Sequence, residues 1–310
     1  MGIRRKQVNG QQYYYLEESI RLEKPKVYSI FLGKRIPTKG ILQRKNAELL
    51  EKMYVDLLGS ISRVYLTKEE LIEAEKRRRR YEARVSRMGA AARNEKDEVD
   101  TVNFVYATLT TEGVPITRQD AELAYKFSQK DIRSIRDENL RVALDMIKGL
   151  RQVKESPKGM TLGFLLKLHQ TIMGEYKAKK PGQFRTEQAY IYLKSFEKAE
   201  EIGFRPPPPA QIRGKMQELV SWYAANLGRL NAIELAALLH LRFYMIHPFA
   251  DGNKRMSRLL LNKALFDSGY PLLNVSKDTE GYFDALIKSV EKKDEKSFVE
   301  FVFKCFVQAV

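Results

Sequence analysis

With 310 residues, 44% of them hydrophobic, the chain is long enough to bury a substantial core and to divide into two units. Its formal net charge of +16 suits nucleic acids, acidic proteins or anionic nucleotides without choosing among them, and residues 1–100, with 23 basic and 15 acidic side chains, hold half of that excess. A single cysteine, Cys305, excludes an intramolecular disulfide framework and thiolate-built metal clusters; with no apolar segment behind Met1-Gly-Ile-Arg-Arg-Lys and no run near the roughly 18 apolar residues of a membrane span, a soluble, cytoplasmic chain is expected.

Residues 12–33 read as a small hairpin. Gln12–Leu22 and Lys26–Leu32 are rich in aromatic and β-branched side chains, with Glu-Lys-Pro-Lys as the turn. Gly33, Pro37 and Gly40 mark a break, and a helical pattern runs from about Leu42 to Leu58. Thr67 and Glu70 form a capping-box pattern that opens a long charged helix. That helix carries Lys76, Arg77, Arg78, Arg79 and Arg80, either a solvated face or a contact for nucleic acid or an acidic partner. Residues 1–95 are read as a basic accessory region and 96–310 as a helical catalytic domain.

Gly113 and Pro115 end a further helix, and Thr117 with Asp120 starts the next. Helices are predicted at about 131–153 and 161–174, the latter carrying His169. The stretch from Lys180 to Leu193 has the content of a hairpin, and Pro206–Pro209 make a rigid polyproline connector. Helices resume at about 211–228, 231–246, 253–268, 279–292 and 294–308. No repeat of fixed period is visible. The fold class is mainly α: a helical core with one β-flap, preceded by a small β-containing basic region.

The chemistry concentrates in His247-Pro-Phe-Ala-Asp-Gly-Asn-Lys-Arg-Met-Ser-Arg258. An apolar helix precedes it; Pro248 breaks that helix, and Gly252-Asn253 turn the chain into the next. Unsatisfied N–H groups at a helix start favour an anion there. His247 could act as a base and Asp251 could hold Mg²⁺ together with substrate phosphates. Gly252 and Asn253 let donors approach a phosphate. Arg255 and Arg258, three residues apart on one helix face, can fork onto further phosphates. These are the parts of nucleotidyl or phosphoryl transfer.

This stretch resembles the signature of Fic (Fic/Doc) proteins, His-x-Phe-x-(Asp/Glu)-Gly-Asn-(Gly/Lys)-Arg-x-x-Arg. Pro181-Gly-Gln-Phe-Arg185 with Tyr190-Ile-Tyr192 is similar to the family's flap, which aligns a target segment by strand addition, and Pro206–Pro209 to the connector after it. Thr108-Leu-Thr-Thr-Glu112-Gly113 resembles the inhibitory motif of members whose inhibitory helix lies upstream. The resemblance covers about residues 100–310. It implies a Fic-type helical core and an adenylyltransferase that moves AMP from ATP, with Mg²⁺, to a Ser, Thr or Tyr hydroxyl of a target protein.

Residue by residue, the resemblance implies that His247 deprotonates the target hydroxyl and Phe249 anchors the loop. It implies that Asp251 holds Mg²⁺ and that Gly252, Asn253, Lys254 and Arg255 face phosphates. Arg258 would bind the γ-phosphate, or pair with Glu112 when the enzyme is restrained, with Thr108 and Gly113 completing the inhibitory motif. Gln183, Phe184, Arg185, Tyr190, Ile191 and Tyr192 would face the target. On residue type alone, Glu112 could also be an ordinary acid at a helix C-terminus before Gly113. Lys254 stands where AMP-transferring members usually carry Gly; Doc-type members share Asn253-Lys254-Arg255 and transfer phosphate instead. The retained Arg258, flap and Glu112 favour AMP transfer. No membrane partner is expected, and a homo-oligomer is compatible with the sequence.

Overall fold

A computed structural model of the chain describes residues 2–20, 26–129, 137–194 and 201–310. The chain forms two compact units, residues 1–88 and 89–309. The boundary falls between Met88 and Gly89, so residues 90–95 open the helix that leads to Glu112.

The first unit holds three antiparallel strands in the order β1 (Gly2–Val8), β2 (Gln11–Ile20), β3 (Lys26–Gly33), followed by helices α1 (Lys39–Leu58) and α2 (Lys68–Ser86). Leu16, Tyr28 and Ile30 of the sheet are buried, as are Leu49, Leu50, Met53, Tyr54 and Leu57 on α1. Two strands were expected where three occur. The edge strand β1 is basic and exposed along its whole length, so it lacks the apolar alternation that marks a half-buried strand. Asn9 and Gly10, both at positive φ, form the two-residue link into β2, and Asn-Gly is the sequence signal for such a hairpin. The turn expected at 23–26 lies largely outside the described residues.

Thr67 and Glu70 make the capping box of α2. The basic run on this helix is largely occupied within its own unit. Lys76 pairs with Glu18, Arg77 with Glu73, Arg78 with Glu75 and Glu82, and Arg79 with Glu75 and the Leu57 carbonyl. Four of the five cations thus have carboxylate partners, which reduces what the run offers an external anion.

The second unit is helical: α3 (Ala90–Thr110), α4 (Arg118–Ser128), α5 (Glu138–Glu155), α6 (Leu162–Ile172), α7 (Pro209–Asn226), α8 (Ala232–Ile246), α9 (Asn253–Asp267), α10 (Thr279–Lys292) and α11 (Glu295–Ala309). A two-stranded hairpin, β4 (Ile191–Lys194) with β5 (Glu201–Phe204), precedes α7. α8 is buried almost all round, which explains its uninterrupted apolar sequence. It packs against α9 as the centre of the core. Residues 130–136, where a helix start was expected, lie outside the described residues. Pro209 is the first residue of α7 rather than the last of the connector, a position where its missing N–H costs nothing.

The end of α3 matters most for the site. Val114 N–H bonds Leu109 O at 3.1 Å and Gly113 N–H bonds Thr110 O at 3.0 Å, with Gly113 at φ +77°. This is a Schellman cap, and Pro115 prevents any continuation. It fixes Glu112 in the turn just past the end of α3. A Cβ built on Gly113 meets nothing within 4 Å, so Gly113→Ala should cost only the left-handed backbone strain. The expected loss is about 1–2 kcal/mol, read as a lower thermal midpoint.

Candidate functional site

Residues 247–252 link α8 to α9, and ring stacking, amide hydrogen bonds and one guanidinium from outside the loop fix their path. Phe249 is fully buried. Its ring stacks on His169 of α6 (centroids 3.7 Å apart, planes 2° apart) and tilts against Phe184 and Phe243 at 5.6 and 6.2 Å. Asn253 closes the loop on itself: its Oδ1 accepts the Phe249 N–H at 3.0 Å and its Nδ2 donates to the Phe249 carbonyl at 2.8 Å. The Asn253 amide, assigned to phosphate from sequence, is therefore a brace of the loop. The first-turn N–H groups of α9, which have no helical acceptors, remain as donors.

His169 ties the loop to α6. Its Nδ1 accepts the Gly182 N–H at 2.9 Å, and its Nε2 lies 3.1 Å from the Asp251 carbonyl. A carbonyl can only accept, so Nε2 carries the proton and the ring is neutral. Burial lowers its pKa to about 4, which protects that tautomer. Gly252 follows at φ +74°, and a Cβ there would come 2.7 Å from Met173 Sδ. The turn therefore requires glycine for two reasons, backbone conformation and close approach.

His247 ends α8 in the left-handed region, at φ +48°. Its Nδ1 faces the Tyr244 carbonyl at 3.3 Å, which fixes the proton on Nδ1 and leaves the Nε2 lone pair as an acceptor. Burial is the main cause that lowers its pKa to about 4, so the ring is neutral at physiological pH.

Arg185 holds this geometry from outside the loop. Its backbone N–H donates to the Pro248 carbonyl at 2.9 Å, and its guanidinium donates to the carbonyls of His247 (2.8 Å), Glu187 (2.8 Å) and Pro207 (2.6 Å). Its side chain is buried and engaged in structure. Phe184 likewise packs on Phe249. The hairpin expected within 180–193 is instead built from Ile191–Lys194 and Glu201–Phe204, because residues 183–188 are fastened to the loop and connector by Arg185 and by Gln188, whose Nε2 donates to the Pro206 carbonyl at 3.0 Å. Gln183 is exposed ahead of the hairpin. Tyr190 and Tyr192 flank Ile191 and are 60% and 67% exposed.

The charged groups converge beside the loop. The Glu112 carboxylate accepts from Arg255 Nε at 2.9 Å and from Arg258 Nη1 at 3.1 Å. Those side chains are only 11%, 4% and 0% exposed, respectively. Arg258 Nη1 also donates to the Thr108 carbonyl at 3.2 Å. Thr108 thus enters through its backbone, and Gly113 through the helix cap. Behind the guanidiniums, Tyr176 lies 5.3 Å from Arg255 and Tyr282 4.9 Å from Arg258, ring centroid to charge centre. Arg255 Nη1 and Arg258 Nε and Nη2 are buried without an acceptor among the described residues. Three such donors fit the oxygens of a further anion.

Asp251 is partly exposed. One of its oxygens accepts the Gly252 N–H at 2.6 Å and lies 3.9 Å from Arg255 Nη2. Among the described residues no group of three or more His, Cys, Asp or Glu side chains could enclose a metal. Lys254 Nζ sits 5.3 Å from the Phe283 ring centroid on α10, and burial lowers its pKa.

Sequence reasoning placed the loop, Glu112 and both arginines together, and they are together. It missed His169, Tyr176, Tyr282 and the strut role of Arg185. A histidine set among leucines on an apolar helix was the available signal for His169. Arg185→Lys should lower the thermal midpoint by an amount equivalent to roughly 1–3 kcal/mol, because one ammonium cannot span three carbonyls. Circular dichroism melts would check it.

A family model described as the Fic/DOC family matches residues 159–265. A protein named protein adenylyltransferase Fic from Drosophila erecta is 29% identical over 219 residues, 70% of this chain and 42% of that protein. Its counterpart from Drosophila virilis is 32% identical over 147 residues, 47% of this chain and 28% of that protein. The chain thus spans less than half the length of these curated relatives. Among solved structures, a Fic-domain-containing signaling protein from Bacteroides thetaiotaomicron superposes with a TM-score of 0.60 at 24% identity, covering 85% of this chain and 93% of that one. Fic-1 from C. elegans, residues 134–508, gives 0.62 at 20% identity, covering 88% and 76%. These two likenesses establish the fold.

Proposed function

From the match to the Fic/DOC family model and the likeness to proteins named protein adenylyltransferase Fic, we propose that the chain is a Fic-type protein adenylyltransferase, moving AMP from ATP to a hydroxyl side chain of a protein, and that Glu112 restrains it. The relatives named protein adenylyltransferase Fic support the reaction class. The observation that carries the reading is the convergence of two buried guanidiniums on one carboxylate, with a neutral imidazole at the start of the same loop whose Nε2 has no partner among the described residues. Arg255 and Arg258 form an anion site, and a carboxylate that fills part of it competes with a triphosphate.

In the proposed reaction a target hydroxyl oxygen attacks the α-phosphorus of ATP. The bond from that phosphorus to the oxygen bridging toward the β-phosphate breaks, and pyrophosphate leaves. The hydroxyl proton passes to His247 Nε2, which is a base at neutral pH because burial has kept it unprotonated. The N–H groups at the start of α9 and the two arginines hold phosphate oxygens. The partly exposed carboxylate of Asp251 fits Mg²⁺ bound jointly with phosphates, as that ion commonly is; when bound, it would neutralise phosphate charge. Tyr190-Ile-Tyr192 on the exposed hairpin would align the target by strand addition. Lys254 lies against Phe283, with the charges of Glu112, Arg258 and Asp251 acting on it; the AMP-transfer reading rests on Glu112, Arg258 and the hairpin.

Incubation with α-³²P-ATP or γ-³²P-ATP and Mg²⁺ tests the reaction type. Only AMP transfer leaves the α label on protein; phosphate transfer leaves only the γ label and contradicts the proposal. Glu112→Gly should raise labelling at least tenfold and His247→Ala should abolish it. The acid limb of kcat/KM for Glu112→Gly should lie near pH 4, where His247 takes up its proton, rather than near the ordinary histidine value of about 6.5. A limb at the ordinary value would contradict the buried, neutral base.

A further inference from the structure

We propose that the outer face of the N-terminal three-stranded sheet binds single-stranded nucleic acid, stacking bases on Tyr13, Tyr15 and Phe31 and holding phosphates with Arg4 and Lys34. The inference is independent of the nucleotide chemistry of the second unit.

Register places Arg4 opposite Tyr15, Tyr15 opposite Phe31, and Lys6 opposite Tyr13. Directly opposed residues of neighbouring strands share a face, so these side chains occupy one side of the sheet. The alternate residues Leu16, Tyr28 and Ile30 are buried on the other side. On the outer side Phe31 is 52% exposed and Val27 56%. Phe31 groups with Tyr13 and Tyr15 at centroid distances of 5.8 and 5.4 Å. Cations rim this aromatic centre: Lys6 Nζ lies 4.9 Å from the Tyr15 centroid and Lys34 Nζ 5.9 Å from that of Tyr13. Glu17 shares the face, but its charge is matched by Lys6 at 2.5 Å and it accepts a hydrogen bond from Ser29 at 3.1 Å.

The chemistry selects the ligand. Residues 1–88 hold 21 basic and 11 acidic side chains, an excess that attracts a polyanion. An acidic peptide would use the cations but not the centre, since a carboxylate is repelled by the negative face of an aromatic ring. Bases in a duplex have their π-faces hidden in the stack, whereas those of a single strand are free to lie on aromatic side chains. An aromatic centre with a cationic rim therefore suits the single strand. The run Lys76–Arg80 is not needed for this, being largely paired within its unit.

Fluorescence anisotropy of the full chain with fluorescein-labelled 15-nucleotide oligo(dT) and oligo(U) tests the proposal. Both should bind at 50 mM salt. Affinity should fall with salt at a logarithmic slope of about −1.4, as expected for two neutralised phosphates on a single strand. Phe31→Ala should weaken binding roughly 5- to 100-fold. Phe31→Leu keeps apolar bulk in the sheet while removing the π-face, and should weaken it comparably with an unchanged melting temperature. Phe31→Tyr should bind like the wild type. Absence of binding, wild-type affinity in Phe31→Leu, or equal competition by a 15-base-pair duplex or by polyglutamate would overturn it.

Discussion

Two arginines one turn apart on a buried helix impose the constraint that the rest of the second unit answers. Arg255 and Arg258 are almost fully removed from water, and an unpaired buried charge destabilises a fold by several kcal/mol. Glu112 supplies the counter-charge to both. Its own position is unfavourable, since a carboxylate in the turn just past α3 meets the negative end of the helix dipole, a penalty of about 0.3–1 kcal/mol. Two charge-assisted hydrogen bonds outweigh that term. The acid is thus stable at the end of α3 because of the arginines, and the arginines are stable in the core because of an anion.

Contacts that do not use Arg255, Arg258 or Glu112 carry out the shaping of the loop, which leaves both arginines of α9 free for an anion. Asn253 ties the loop across its own turn, His169 ties it to α6, and Arg185 ties it to the segment before the hairpin. The imidazoles of His169 and His247 are both held neutral by burial, yet their roles divide by geometry. Both ring nitrogens of His169 are occupied, whereas among the described residues His247 has a partner at Nδ1 alone. The same residue type therefore serves as a brace in one place and fits a base in the other.

Much of this was legible in the sequence because local chemistry dictated it. Capping patterns at Thr67 and Thr117, the Gly113-x-Pro115 stop and the Pro248 break each have one physical meaning, and the helices they bound occur as expected. The glycine at 252 and the arginines at 255 and 258 followed from spacing on a turn and a helix. What was not legible depended on partners distant in the chain. Arg185 reads as a surface cation until its three carbonyl acceptors, contributed by separate segments, are assembled around it. Asn253 looked like a phosphate donor because only the folded loop brings Phe249 back to its amide. The edge strand β1 was missed because exposure along both faces erases the alternation that periodicity detects, although Asn9-Gly10 announced its turn. Lys76–Arg80 looked like an unpaired run because its partners include Glu18 from a distant strand.

Calorimetric titration of a non-hydrolysable ATP analogue with Mg²⁺ into three proteins tests the shared anion site directly: the wild type, Glu112→Gly, and Glu112→Gly combined with Arg258→Ala. If the carboxylate and the triphosphate compete for the same guanidiniums, removing Glu112 should tighten binding at least tenfold, and removing Arg258 as well should cancel the gain. Equal affinity in the wild type and Glu112→Gly, or a gain that survives loss of Arg258, would contradict it.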